Sequence, residues 1–201
     1  MVQKVLNFGK YLFEVAITLR NSLFINGILT NLEVSYGLND TEIEKLEQCD
    51  EQLLRYILEC PSSTPKEMLY LELGATPLRY IVMSRRLMFH HYILNEDNES
   101  LINRFFKLQS RKPVKNDWSL TVKQNLETLN ITLSENEIQH LSIYSYQKIV
   151  NTAIKKEALN YLNALKNKHS KVMHIRYSKL EIQDYLMPSS FSAEVAKFAF
   201  Q

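Results

Sequence analysis

An all-α fold, packed as an irregular helical bundle, follows from three features of this 201-residue sequence. Apolar residues recur at three- and four-residue steps over most of its length. Helix-start signals of the form Ser/Thr-x-x-Glu stand at Thr41, Thr64 and Ser134. Glycine is scarce, at 4 of 201 residues, and neither a dinucleotide-type nor a P-loop glycine string occurs, which argues against folds that cradle phosphates on Gly-rich turns.

The elements follow in order. Leu12, Ala16, Leu19 and Leu23 place a long first helix over Gly9–Leu32, with Gly27 marking a bend or a close helix contact. Gly37-Leu38-Asn39 breaks it. Thr41-Glu42-Ile43-Glu44 has capping-box spacing and opens a helix with an apolar stripe of Ile43, Leu46, Leu53, Ile57 and Leu58, ended by Pro61. Thr64-Pro65-Lys66-Glu67 repeats the signal, and Gly74 closes that short helix. Thr76-Pro77 starts the next, which runs to about Leu94 with Leu78, Val82, Phe89 and Ile93 inward.

The polar stretch Asn95–Glu99 is the clearest boundary, followed by a short helix near Ser100–Gln109 and a basic linker over 111–115. Asp117 caps a helix from Trp118, and Ser134-Glu135-Asn136-Glu137 is the third capping box. Ser145 caps a long helix, Tyr146–Lys168, with Val150, Ile154, Ala158, Leu162 and Leu165 as its core stripe. Lys171–Tyr177 alternates weakly, as an extended segment would, and Ser192–Phe200 reads as a last short helix. The chain thus divides into 1–94, a linker with a short helix over 95–117, and 118–201; whether the halves form two helical subdomains stays open.

Charge is unevenly distributed. Residues 1–100 carry 9 Lys/Arg against 14 Asp/Glu, residues 101–201 carry 15 against 8, and the net charge is +2. Lys148–Lys179 holds eight basic residues and one acid, Glu157, a layout that draws polyanions. Cys49 and Cys60 form no metal-ligand or redox motif, which suits a reduced intracellular compartment, nucleus or cytoplasm undecided. The uncharged run Asn21–Leu32 is 12 residues, against the ~20 that cross a bilayer, so no membrane association is expected. No cofactor is expected. His90-His91 and His169 with His174 lack the further ligands of a metal site, and no nucleophile elbow is present.

Two surfaces are candidate anion sites. Arg79, Arg86 and His90 stand at i, i+7 and i+11 on one helical line, with Arg85 beside it. The competing reading pairs these arginines with the acidic segment 42–59. Lys148, Lys155 and Lys166 fall within ~20° of a second line, with Lys156 beside them and Tyr144, Tyr146, Tyr161 and Tyr177 interleaved. The competing reading there is a solvated lysine face.

Several strings in fixed order carry a family resemblance: Gly9-Lys10-Tyr11-Leu12-Phe13-Glu14, Leu19-Arg20-Asn21-Ser22, Ile28-Leu29-Thr30-Asn31-Leu32-Glu33-Val34, Leu53-Leu54-Arg55, Ser62-Ser63-Thr64-Pro65-Lys66-Glu67-Met68-Leu69-Tyr70-Leu71-Glu72, Arg85-Arg86 and Asp117-Trp118. Together they resemble the thumb and linker that follow the reverse transcriptase palm in non-LTR retrotransposons with a restriction-like endonuclease. The likeness covers nearly the whole chain and is strongest over 9–118. It implies a thumb-like 1–94, a role along template–primer duplex for Arg79, Arg85 and Arg86, with Arg20 as a further candidate, and a palm supplied upstream or in trans. The palm's paired aspartates are missing, since the chain contains no Asp-Asp, and the family's zinc knuckle and nuclease centre would lie past Gln201.

The sequence therefore reads as a non-catalytic fragment that binds RNA, DNA or their hybrid without base specificity. Its rivals are a helical structural or interaction module and a retroelement remnant without function. A thumb apart from its palm is further expected to expose apolar side chains on its first helix.

Overall fold

The computed structural model describes residues 12–30, 40–111, 117–169 and 179–181. They form eight helices and no β-strand, an all-α fold. Helix α1 spans 12–29 and includes a π-helical stretch, Arg20–Ile25. The others are α2 (Asp40–Leu58), α3 (Lys66–Glu72), α4 (Leu78–Asn95), α5 (Leu101–Arg111), α6 (Trp118–Thr128), α7 (Glu135–His140) and α8 (Ile143–His169). The extended segment expected at Lys171–Tyr177 and the helix expected at Ser192–Phe200 lie outside the described residues.

Local start signals act unequally. The capping box at Ser134 forms in full: its hydroxyl accepts from the Glu137 N–H at 3.3 Å, and the Glu137 carboxylate accepts from the Ser134 N–H at 2.8 Å. Those hydrogen bonds hold the Glu137 carboxyl below its ordinary pKa. At the other two boxes the expectation fails. Thr41 lies inside α2, which already begins at Asp40, and Pro65 rather than Thr64 is the N-cap of α3, with no side-chain cap bond. Asp117 occupies the N-cap of α6 through its backbone, its carbonyl accepting from the Thr121 N–H at 3.0 Å. The start of α8 is set by Ser142, not Ser145: the Ser142 hydroxyl accepts from the Ser145 N–H at 3.2 Å. Gly74 closes α3 with a left-handed φ of 59°, as a glycine readily does.

The chain divides into two compact units, each assembled from separated segments. One takes in the described residues up to 28, 44–78 and those from 158 onward. Its buried aliphatics include Ile25, Leu54, Leu69, Leu71 and Leu162, but Arg20, Glu47, Asp50, Glu51, Glu67, Glu72 and Lys166 are buried as well. The inward arc of α2 is Ile43, Glu47, Asp50, Glu51, Leu54 and Leu58. At ~100° per residue it is rotated roughly 60° from the apolar stripe expected from sequence. Asp50 explains the rotation. It accepts from Arg20 Nε at 2.6 Å and Arg20 Nη2 at 2.5 Å, and from the Tyr70 hydroxyl at 3.1 Å, while Arg20 Nη2 also donates to the Thr76 carbonyl at 3.0 Å. Burial, with Asp50 next in weight, pushes the Tyr70 phenol well above its ordinary range.

The outer face of α1 carries Leu12, Val15, Leu19 and Leu23, all exposed, as expected of this helix. Between them Thr18 Oγ1 donates to the Glu14 carbonyl, Ser22 Oγ to that of Thr18 and Asn26 Nδ2 to that of Ser22. Those polar groups are thereby satisfied within the helix. By length and composition alone Leu12–Leu29 is apolar enough to cross a membrane, at a mean hydropathy of 1.3. Gly27 makes no close contact, because a Cβ there would meet nothing within 4 Å. The irregularity of α1 is the π-helical stretch instead.

The other unit takes in 29–43 and 79–157. Val82, Leu87, Ile93, Phe106, Trp118, Val122, Ile138, Tyr146, Val150 and Ile154 form its core. Phe89, Phe106 and Trp118 meet edge-on, with centroids 5.7 and 5.9 Å apart.

Removing one side of the Arg20–Asp50 pair leaves the other charge buried. Asp50→Ala is expected to lower the unfolding free energy by about 3–5 kcal/mol, and Glu44→Ala, on the exposed side of α2, by under about 0.5 kcal/mol; urea unfolding of both variants checks this.

Candidate nucleic-acid interface

Helix α4 was expected to show Arg79, Arg86 and His90 to solvent. Its buried residues are Leu78, Tyr80, Val82, Arg86, Leu87, His90, His91 and Ile93, an arc of about 220° at ~100° per residue. The Arg79–Arg86–His90 line runs through the middle of that arc. Arg86 is 5% exposed and His90 1%, so neither reaches a phosphate. Burial lowers the Arg86 pKa, and its Nε has no hydrogen-bond partner. Arg79 and Arg85 are half-buried, and Arg85 Nη1 donates to the Leu29 carbonyl at 3.1 Å. Arg20 is 2% exposed and bound to Asp50. The acidic α2 engages Arg20, through Asp50.

His90 is a core histidine. Its ring lies 5.2 Å from Phe106 and 6.4 Å from Trp118, and neither nitrogen has a hydrogen-bond partner. Burial, aided by nearby His91, depresses its pKa to about 4. His91 stacks on Tyr146 at 5.1 Å, and its Nε2 lies 3.0 Å from the Leu141 carbonyl, so that nitrogen carries the donated proton. Among the described residues no group of three His, Cys, Asp or Glu converges as a metal site requires.

Helix α8 keeps a basic face. Tyr144, Gln147, Lys148, Asn151, Thr152 and Lys155 line a shallow groove of about 320 Å³ along one side of the helix. At ~100° per residue they fall within about 140° of arc, and at ~1.5 Å rise the row is about 16 Å long. Tyr144 is 80% exposed, and Lys148, Lys155 and Lys156 are exposed, with no ion pair to any of the three among the described residues. Gln147, Asn151 and Thr152 complete the row; no sequence argument singled them out, although their i, i+4 and i+5 spacing was readable. Tyr146, in contrast, is fully buried, and burial lifts its phenol to about 12. Tyr161 is half-buried, and Tyr177 lies outside the described residues.

Lys166 does not belong to this face. The buried ridge of α8 runs Tyr146, Val150, Ile154, Ala158, Leu162 and Lys166, all at four-residue steps. Four residues turn the helix ~400°, so the ridge drifts ~40° per step. After five steps it reaches the angular line on which Lys148 and Lys155 stand. Lys166 is consequently buried, at 3% exposure. Desolvation lowers its pKa, opposed by the nearby Glu72 carboxylate.

Comparison with protein-family models, curated proteins and solved structures gives no match.

Because His90 is held neutral with a folded-state pKa of about 4, the unfolded chain takes up its proton first on acidification. The linked stability is complete above pH ~6.5 and falls by about 3 kcal/mol as the pH drops to ~4. Urea midpoints measured across that range for the wild type and for His90→Phe check this, the variant showing the shallower pH slope.

Proposed function

We propose that this chain binds nucleic-acid backbone without base specificity, through the exposed face of α8, and performs no bond-making step of its own. The observation that carries the reading is the alignment of Tyr144, Lys148 and Lys155 on one solvent face with amide and hydroxyl side chains between them. Lysines at that spacing neutralise phosphates and release counterions, and an exposed aromatic ring stacks on any base. With Lys156 beside them, the reading narrows nine candidate residues to Lys148, Lys155 and Lys156; Arg20, Arg86, His90 and Lys166 are set aside because they are buried, and Arg79 and Arg85 because they are half-buried. In this proposal the chain derives from the thumb and linker of a retrotransposon reverse transcriptase, RNA, DNA or their hybrid is its partner, and a palm domain is supplied elsewhere.

A second reading, a helical protein-interaction module, is favoured by the exposed Leu12, Val15, Leu19 and Leu23 on α1.

Fluorescence anisotropy with labelled single-stranded and duplex oligonucleotides tests the first. Log affinity for a single strand is expected to fall with log salt at a slope of about −2, three lysines each adding roughly −0.7. Lys148→Glu with Lys155→Glu should remove most of the binding, and Tyr144→Ala should weaken single-strand binding by about 1–3 kcal/mol. Affinity indifferent to salt and to these substitutions would remove the proposal.

A further inference from the structure

A groove of about 490 Å³ opens between α4, α5 and the first residue of α6, all within the unit that takes in 79–157. Phe89 and Ile93 line it from α4, Ile102, Phe105 and Phe106 from α5, and Trp118 from α6. Ile93, Phe106 and Trp118 are 3%, 5% and 7% exposed and form the floor. Leu101 and Phe105, 82% and 54% exposed, stand at the rim.

The rings around the groove are fixed from both sides. Phe89 stacks on Tyr92 at 5.9 Å and meets Trp118 edge-on at 5.7 Å. Phe106 meets Trp118 edge-on at 5.9 Å and has the His90 ring behind it at 5.2 Å. Asn103 Nδ2 donates to the carbonyls of Ile93 at 3.2 Å and Glu96 at 3.1 Å, tying the first turn of α5 to the end of α4. Walls held in this way keep the cleft formed before any ligand arrives.

Charge and polarity decide what fits. None of the described residues that line the groove is charged. The basic residues of α5, Arg104, Lys107 and Arg111, stand on the far side of that helix, about 160° around it at ~100° per residue. An ion entering the groove would lose its water and meet no counter-charge. Gln109 is the one polar side chain among the described lining residues. It is half-buried, and its carboxamide has no hydrogen-bond partner among the described residues. At ~1.5 Å per residue it stands about 12 Å along α5 from Leu101, which marks the other end of the groove. We propose that this groove binds an uncharged, ring-bearing small molecule with one hydrogen-bonding group, its rings against Phe89, Phe106 and Trp118 and its polar atom at the Gln109 carboxamide.

Size favours a small molecule over a protein. A stable protein interface takes ~20–30 residues a side, against the eight described residues that line this groove, whereas small-ligand sites usually span ~300–1,000 Å³. A bilayer would touch the rim alone, because the floor lies beneath Leu101 and Phe105. Aromatic walls select rings over a flexible alkyl chain, since paired rings gain from their geometry beyond the area they bury.

Four probes test this against the full-length protein: 2-naphthol, naphthalene, naphthalene-2,6-disulfonate and an uncharged leucine-faced helical peptide. Calorimetry gives the affinities, and quenching of Trp118, the only tryptophan in the chain, reports binding at the groove. 2-Naphthol is expected to bind saturably and about threefold or more tighter than naphthalene, the margin of one hydrogen bond. It should bind at least about tenfold tighter than the disulfonate, which must carry one of its two charges inward. Gln109→Leu should abolish the margin between 2-naphthol and naphthalene while leaving naphthalene binding unchanged. Ile102→Trp, read by calorimetry, fills the groove from a position 44% exposed and should weaken both ligands about tenfold or more, with unchanged helical circular dichroism verifying folding. The proposal is overturned if neither 2-naphthol nor naphthalene quenches Trp118, if the disulfonate binds as tightly as 2-naphthol, or if Gln109→Leu keeps the margin. It is equally overturned if Ile102→Trp binds like the wild type, if the peptide quenches Trp118 at lower concentration than either small molecule, or if sedimentation shows a dimer that Ile102→Trp dissociates.

Discussion

A carboxylate buried at the centre of one unit, Asp50, fixes how the first helices face one another. Two donors of Arg20 and the Tyr70 hydroxyl converge on it, so α1, α2 and α3 share a single polar anchor. An anchor of this type adds less net stability than an apolar core of the same volume, but the loss of either partner is expensive. It does set rotation. Arg20 must point at α2, and the face of α1 about a quarter turn away, with Leu12, Val15, Leu19 and Leu23, is left outward.

The same constraint decides which cations can meet a polyanion. A guanidinium held by a buried carboxylate, or sunk in the wide inward arc of α4, is lost to external ligands however basic the local sequence. Of the cations singled out in the sequence, those left exposed are Lys148, Lys155 and Lys156 on the face of α8, beside Tyr144. Exposed lysines without partners suit weak, salt-sensitive association, since their charge is already hydrated and little desolvation is required.

Both exposed apolar regions lie beside polar groups that the helix itself has satisfied or ordered. On α1, Thr18, Ser22 and Asn26 return their donors to the preceding turn. On α5, the cations keep to the side of the helix away from the groove. A helix that segregates its surface in this way presents apolar area without competing charge, which is the property a docking face requires.

Much of the architecture was legible in the order of residues. Apolar periodicity located α2, α4 and α8 to within a few residues, because burying one face of a helix demands that spacing, and turn and start signals marked α3, α5, α6 and α7. The box at Ser134 was readable because both of its hydrogen bonds are local. Those at Thr41 and Thr64 misled, since the same four letters also occur inside or just before a turn whose start is set by other contacts. Orientation was another matter. Angular arithmetic put Lys166 in line with Lys148 and Lys155, and Arg86 in line with Arg79; both alignments hold within a helix. Yet only packing decides how wide the buried arc is and where along a 27-residue helix it drifts beneath a neighbour. The sequence by itself determined that helices form and where they stop, by interactions a few residues long. Which charges lie inside was decided by partners 30 or more residues distant, as Arg20 and Asp50 are, and no local pattern encodes that pairing.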